Sequence, residues 1–220
     1  ACAQLGCETG YLYRSDDLPT DRYMAVEGAN GLIAAIADAH TLERAGARIL
    51  QPLLDGTLGS VEAPYNGPVA LDGNLTETLL DEIARDPAFA AADLRIAPAS
   101  PGEAERLMPF LRARRGVLYV NLEEAGLLCQ TSFDSAPQAA ARLVERGAAR
   151  AVVTNGGDAA CDATPEGIVA ECPPEVLVTR VTGAGDTFMA AHIVAELGGA
   201  GRAEALDRAL AAAATYVSGD

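Results

Sequence analysis

RVTGAGDTF, at residues 180–188, follows the strand-like run VLVT and opens a helical pattern, TFMAAHIVAEL. Gly183 and Gly185 allow a tight turn and let the backbone approach a ligand without a clash from Cβ. Free N–H groups at a helix start, together with the helix dipole, form an anion site that suits a phosphoryl group. Asp186, in the same turn, can accept a proton from an alcohol. From spacing alone, an ordinary Gly-rich turn with Asp as a helix cap explains these residues equally well.

Strand-like and helical patterns alternate along the chain before this stretch. Such alternation predicts parallel β-α-β units, with helices on both faces of one sheet. Two short strands near the sheet edge and two closing helices complete the pattern. The predicted strands are 68–71, 94–97, 116–120, 150–154, 168–171 and 176–179, and the predicted helices are 75–85, 102–114, 122–129, 135–147, 184–197 and 202–216.

Two apolar segments near the start, 22–26 and 32–37, predict a β-hairpin. The pair Asn30-Gly31 between them is a strong turn signal. From Thr41 onward, apolar residues recur at helical spacing, which predicts a helix after the hairpin.

Composition limits the classes of partner. The 220 residues are half hydrophobic, which is enough for one sizeable core, so we expect a single domain over 1–220. A net charge of -15 disfavours nucleic acid and anionic membranes. Every basic residue is Arg, so a phosphate site must use Arg, a metal or backbone N–H groups. The five cysteines are scattered, which predicts reduced thiols in a cytoplasmic protein. The two histidines are isolated, so we expect no zinc site. No apolar run is long enough to predict a membrane span.

The stretch TGAGDTF at 182–188 resembles the second signature of the PfkB carbohydrate kinase family, which includes ribokinase, adenosine kinase and pseudouridine kinase. The resemblance implies an α/β fold of the ribokinase-like kind. This is a three-layer sandwich with a mainly parallel sheet, helices on both faces and part of a β lid. It also implies that Asp186 is the catalytic base and that the N–H groups of Gly183, Ala184 and Gly185 form an anion hole.

Asn121 and Glu124, directly after the strand GVLYV, are similar to the family's N-x-x-E motif. The resemblance implies that they help to position Mg²⁺ and the nucleotide phosphates, largely through water. That role suits a hard cation, which prefers oxygen ligands and keeps several waters. Asn followed three residues later by Glu is also a helix-capping pattern, and the two roles can coexist.

The segment AVVTNGGD at 151–158 resembles the family's V-T-x-G-x-x-G turn near the nucleotide. The resemblance implies that the Thr154 hydroxyl donates to a phosphate or ribose oxygen. It also implies that Gly156 and Gly157 permit close approach of the ligand. A simple connection from a strand to a turn explains the same residues.

Residues 19–40 look like strands of the family's substrate lid, and their final AIADAH is closest to pseudouridine kinase-like members. An open strand edge invites pairing, so a homodimer through the lid is an expectation. The resemblance runs from this hairpin to the last helix, so we expect the family's N-terminal portion, with the rest of the lid and an Asp that grips substrate hydroxyls, to be missing from this sequence. Arg180 stands where many members have Asp, at a position that influences a monovalent-cation site in some of them, and the use of such a cation stays open.

Three functions compete at this point. The resemblance favours an ATP-dependent, Mg²⁺-assisted kinase that phosphorylates a hydroxymethyl group of a small sugar or nucleoside, of the pseudouridine or ribose type. The alternative is a non-catalytic member that binds a sugar or nucleoside in the same pocket. A dinucleotide-dependent oxidoreductase is disfavoured, because no G-x-G-x-x-G follows an early strand.

Overall fold

Two sheets organise the computed structural model, which describes residues 2–28 and 31–219. The first is an antiparallel hairpin of β1 (Arg22–Gly28) and β2 (Gly31–Asp38), with Met24 opposite Ile36. This pairing confirms the predicted hairpin, although Asn30 of the predicted turn lies outside the described residues.

The second sheet has six strands, in the order β3-β4-β5-β6-β7-β8. Its first four strands are parallel, β7 is antiparallel to β6, and β8 is antiparallel to β7, which confirms the predicted mainly parallel α/β architecture. The strands are β3 (Pro68–Asp72), β4 (Asp93–Ala97), β5 (Val117–Asn121), β6 (Arg150–Asn155), β7 (Asp158–Thr164) and β8 (Gly167–Glu171).

Helices cover both faces of this sheet. Along β5, Leu118 and Val120 join a large core with α3 to α6, whereas Val117 and Tyr119 join a smaller core with α7 and α8, because successive strand residues point to opposite faces. Three layers result. The helices are α1 (His40–Ala45), α2 (Gln51–Leu54), α3 (Glu77–Arg85), α4 (Met108–Ala113), α5 (Leu122–Cys129), α6 (Ala136–Glu145), α7 (Ala184–Leu197) and α8 (Arg202–Ser218), with 3₁₀ turns at Cys2–Leu5, Gly46–Leu50, Pro87–Phe89 and Pro101–Leu107.

One predicted strand is wrong and one strand was not predicted. The segment 176–179 is not a strand: Pro173 and Pro174 lead into it, and Thr179 bonds to the end of α8 instead of to a strand. Strand β7 was missed, because its small residues and central Asp162 do not show the usual strand pattern. The predicted helix 102–114 begins as a 3₁₀ turn before it becomes α4.

All five cysteines are free thiols. Within the described part of the chain, no helix combines the length and the apolar character needed to cross a membrane.

A buried carboxylate on β7 joins the sheet to α8. Asp162 on β7 is fully buried and accepts hydrogen bonds from Arg150 Nε at 2.9 Å and Arg202 Nε at 3.2 Å. Burial alone would raise the pKa of Asp162, but the two guanidinium groups outweigh burial and hold that pKa below its usual value. A buried carboxylate with two partners is costly to disrupt, because removal of one ion leaves the others uncompensated.

A second set of ion pairs joins α7 to the sheet. Glu196 on α7 accepts from Arg95 Nη1 at 2.5 Å and from Arg150 Nη2 at 2.7 Å. His192, one turn earlier and fully buried, lies 3.0 Å from the Tyr119 hydroxyl, and burial lowers the pKa of its imidazole. These contacts fix the orientation of α7 against β4, β5 and β6.

We expect Asp162→Ala to lower the free energy of unfolding by about 3–5 kcal/mol, because two arginines lose a buried partner. The exposed pair Arg142–Glu145 supplies the control, since Glu145→Ala should cost no more than about 0.5 kcal/mol. Urea unfolding of both variants measures the difference. The folded protein lowers the pKa of Asp162. The ionised carboxylate therefore stabilises the fold at any pH above the ordinary carboxyl pKa, and this stabilisation is lost as pH falls through the lowered pKa. The variant should lack this acid-dependent component, and equal losses for the two variants would contradict the assignment.

Candidate active site

The turn before α7 has the backbone conformation of a Gly-dependent helix start. Gly183 is the N-cap of α7 with φ of 92°, a left-handed value that glycine adopts without a Cβ penalty. Its carbonyl accepts from Thr187 N at 3.0 Å and from Thr187 Oγ1 at 2.8 Å, which closes the first turn. The predicted strand–turn–helix element therefore becomes a coil–turn–helix element, with the helix in its predicted place.

The amides of this turn differ in what they bond. Ala184 N–H donates to Val181 O at 3.0 Å, so that amide already has an acceptor. Gly185 and Asp186 are the second and third residues of α7, and a helix offers no internal acceptor to N–H groups in its first turn. Of the three residues of the predicted anion hole, Ala184 has its amide bonded to Val181 O, whereas Gly185 and the neighbouring Asp186 have no acceptor for their amides inside α7. Gly183 shapes the turn.

Asp186 is exposed and lines a cavity of about 200 Å³. Asn121, Glu124 and Thr154 line the same cavity, and Tyr119 and Phe188 are among its walls. The cavity lies at the carboxyl ends of the parallel strands β5 and β6, where α/β folds commonly bind ligands. Residues predicted from three separate motifs thus meet in one place.

Asn121 and Glu124 form a reciprocal capping box at the start of α5. Asn121 Oδ1 accepts from Glu124 N at 2.9 Å, and Glu124 Oε2 accepts from Asn121 N at 2.8 Å. Burial raises the pKa of Glu124, although the Asn121 amide opposes that effect. The capping role is therefore present, in a residue pair that also lines the cavity of Asp186.

Thr154, Gly156 and Gly157 border a second cavity, of about 540 Å³. Gly156 has φ of 56° and forms, with Gly157, the two-residue turn between β6 and β7. The opposite side of the cavity is apolar and comes from the segment after β8 and from α8, with lining side chains Pro173, Val176, Val178, Val181 and Leu210. The two cavities share Thr154, Gly185 and Phe188, so they are neighbours.

Sequence reasoning missed the apolar wall of the second cavity. It interpreted 176–179 as a strand, whereas these residues run past α8 without strand pairing. The pair Pro173-Pro174 is the signal that argued against a strand. Tyr216 of α8, whose hydroxyl donates to Thr182 O at 2.7 Å, was also missed, because nothing in a helical pattern indicates that contact.

A metal would find few protein ligands here. Within the residues that the structure describes, no group of three or more His, Cys, Asp and Glu side chains is placed to hold a metal ion. The cavity offers Glu124 and Asp186 as its carboxylates, on different elements. Such a site fits Mg²⁺ bound by few protein oxygens, with the remaining ligands from water and phosphate.

The structure is that of an α/β protein with a cavity at the strand ends, where a helix start and the carboxylate of Asp186 meet. The chain belongs to the pfkB family of carbohydrate kinases, whose sequence pattern matches residues 2–219. No curated protein matches the chain by sequence.

Solved structures show the same fold. A carbohydrate kinase from Agrobacterium tumefaciens is 26% identical with a TM-score of 0.70, and the match covers 90% of this chain and 62% of that one. A PfkB protein from Polaromonas sp. JS666 is 19% identical with a TM-score of 0.71, covering 99% and 73% of the two chains. Adenosine kinase from Trypanosoma brucei brucei is 15% identical with a TM-score of 0.71, covering 94% and 67%. The chain thus spans less than two thirds of the length of the Agrobacterium protein.

Proposed function

We propose that the protein is an ATP-dependent phosphotransferase that phosphorylates a hydroxymethyl group of a sugar or nucleoside, of the pseudouridine or ribose type. Family membership supports the reaction class. The observation that carries the proposal is the shared cavity, where the Asp186 carboxylate and the start of α7 lie beside Asn121, Glu124 and Thr154.

In this mechanism a carboxylate oxygen of Asp186 accepts the proton of the substrate hydroxyl. The hydroxyl oxygen forms a bond to the γ-phosphorus as the bond to the β–γ bridging oxygen breaks, and ADP leaves. The amides of Gly185 and Asp186, with the dipole of α7, stabilise the negative charge on the transferring group. General-base help of this kind contributes roughly 10²–10⁴-fold to the rate.

The neighbouring cavities suggest how ATP lies. The apolar wall formed by Val176, Val178 and Leu210 suits the adenine ring in the cavity of about 540 Å³. The phosphates then pass Thr154 and the glycine turn toward Gly185, which lines both cavities. None of the described residues that line these two cavities is basic. The negative charge of the phosphates must therefore be neutralised by backbone amides and by a metal ion.

Glu124 is the residue that we assign to Mg²⁺, with Asn121 helping to orient it. Burial disfavours the charged form of Glu124, and a divalent cation with its waters in the cavity would stabilise that charged form. When bound, Mg²⁺ supplies charge neutralisation to the phosphates.

Asp186→Asn is expected to lower kcat by about 10²–10⁴-fold, because the amide cannot accept the proton of the acceptor hydroxyl. Asp207→Asn, on the exposed face of α8, is the matched control and should keep wild-type turnover. ATP turnover is measured for each variant across a panel of sugars and nucleosides. Equal rates for wild type and Asp186→Asn would contradict the mechanism. Thermal stabilisation by a sugar or nucleoside, without phosphate transfer, would favour the non-catalytic alternative.

Glu124→Gln should raise the Mg²⁺ concentration needed for half-maximal activity by about tenfold, since a neutral amide is a weaker ligand for a hard cation. The amide oxygen of Gln can still accept from Asn121 N, so the cap of α5 should persist. Glu123→Gln, next to it and exposed, is the control. An unchanged Mg²⁺ dependence in Glu124→Gln would remove this residue from the metal site.

In this proposal the hairpin of β1 and β2 is part of the substrate lid and also contacts a second copy of the chain. Met24, Val26 and Ile36 are large apolar side chains and remain exposed, at 61%, 49% and 64%. Met24 and Ile36 are cross-strand partners on one face of the hairpin.

We expect the wild-type protein to sediment as a dimer and the Ile36→Asp variant to sediment as a monomer. A monomer at micromolar concentration would contradict this part of the proposal.

A further inference from the structure

The last turn of α8 holds the segment that leads into α7. Thr179 N and Oγ1 both donate to Val217 O, at 2.8 and 3.1 Å. Arg180 Nε donates to Tyr216 O at 2.6 Å, and the Tyr216 hydroxyl donates back to Thr182 O at 2.7 Å. Three residues of the segment, Thr179, Arg180 and Thr182, are therefore tied to two consecutive residues of one helix end.

Two physical features strengthen this attachment. The last carbonyls of a helix have no N–H partner four residues on, so Val217 O can accept from Thr179, and Tyr216 O accepts from Arg180 Nε as well as from Gly219 N at 3.3 Å. The guanidinium of Arg180 also lies over the ring of Tyr216, 4.0 Å from its centroid, as a cation–π contact. Its positive charge sits at the negative end of the α8 dipole. We call Thr179, Arg180, Tyr216 and Val217 the α8 clamp.

The clamp also reaches the N-cap of α7. A Cβ placed on Gly183 would lie 2.6 Å from the Tyr216 hydroxyl oxygen and 3.1 Å from Cζ, so the tyrosine packs directly against the backbone of the turn. Gly183 is followed by the two amides that have no acceptor inside α7. A shift of Tyr216 would therefore move the start of the helix that presents them.

The two ends of α7 are held by different interactions. Glu196, near the carboxyl end, is fixed by the ion pairs with Arg95 and Arg150. The amino end depends on the α8 clamp. Neither Arg180 nor Tyr216 is among the described residues that line the cavities of about 200 and 540 Å³. Their hydrogen bonds connect them to the turn that leads into α7, which borders both cavities through Gly185.

We propose that Tyr216 and Arg180 are positioning residues, which hold the amides of Gly185 and Asp186 in the orientation needed for phosphoryl transfer. The kinetic consequence rests on the proposed function. Transition-state stabilisation by preorganised donors requires that they be fixed before the reaction, and a misplacement of about 1 Å can cost about 10²-fold in rate. Loss of the clamp should therefore lower kcat more than it weakens binding of ATP.

Tyr216→Phe removes one hydroxyl and Arg180→Ala removes the donor and the stacked cation. Arg208→Ala, an exposed position on the same helix that pairs with Glu204, is the matched control. For Tyr216→Phe we expect kcat to fall about tenfold, with the KM for ATP changed by less than about threefold. Arg180→Lys keeps the charge and a donor and should recover part of the loss seen in Arg180→Ala.

Hydrogen–deuterium exchange of peptides that cover 179–188 is the second readout, and it needs no turnover. Exchange should become faster in Tyr216→Phe and Arg180→Ala, and stay at the wild-type rate in Arg208→Ala. Wild-type exchange in both clamp variants would overturn the proposal. Faster exchange with unchanged kcat, or a rise in KM alone, would overturn the positioning role. A wild-type chain that transfers no phosphate to any acceptor would overturn the proposed function, while the exchange rates would still decide whether the clamp orders the turn.

Discussion

The attachment of helix α7 to the sheet is the constraint on which the site depends. Under the proposed function, Asp186 and the first amides of α7 can serve both reactants only if the helix begins at a fixed point. Glu196 fixes the far end of α7 through Arg95 and Arg150, whose guanidinium groups come from two strands of the sheet. Hydrogen bonds from these arginines outweigh the burial that would raise the pKa of Glu196 and hold that pKa low, so the carboxylate remains charged. The ion pairs are thus available at neutral pH.

Charge explains why backbone groups carry so much of the site. The chain has a net charge of -15 and its arginines are largely engaged in structural contacts, as Arg95, Arg150 and Arg202 show. Amides at a helix start bind an anion without adding a basic side chain. Under the proposed function, a metal ion held by few carboxylates would supply the rest, because Mg²⁺ brings its own waters. Under the proposed function, an acidic protein can therefore bind a triphosphate.

Local chemistry made much of this predictable. The spacing of Gly183, Gly185 and Asp186 indicated a turn and a helix start, and the structure has both. Asn121 and Glu124 satisfied the capping pattern, and they also line the cavity of Asp186. Alternating strand and helix patterns gave the layered architecture, because hydrophobic periodicity reflects which face each element buries.

Features that depend on distant contacts were not predictable. Strand β7 was missed because it contains Asp162. A buried charged residue within a strand is stable only when it has charged partners, here Arg150 and Arg202, which are distant in sequence. The segment 176–179 looked like a short edge strand and is not one. The turn Gly156-Gly157 would have indicated the hairpin of β6 and β7. The α8 clamp joins residues 36 positions apart, as in the bond from Arg180 to Tyr216 O, and no sequence pattern reports such packing.

A crystal structure of the protein with ADP, Mg²⁺, aluminium fluoride and an acceptor sugar or nucleoside tests the central claim most directly. The fluoroaluminate group stands in for the transferring phosphoryl group. We expect it to lie against the N–H groups of Gly185 and Asp186, with the acceptor hydroxyl within hydrogen-bond distance of the Asp186 carboxylate. A fluoroaluminate bound away from the start of α7, or an Asp186 carboxylate turned away from the acceptor, would contradict it.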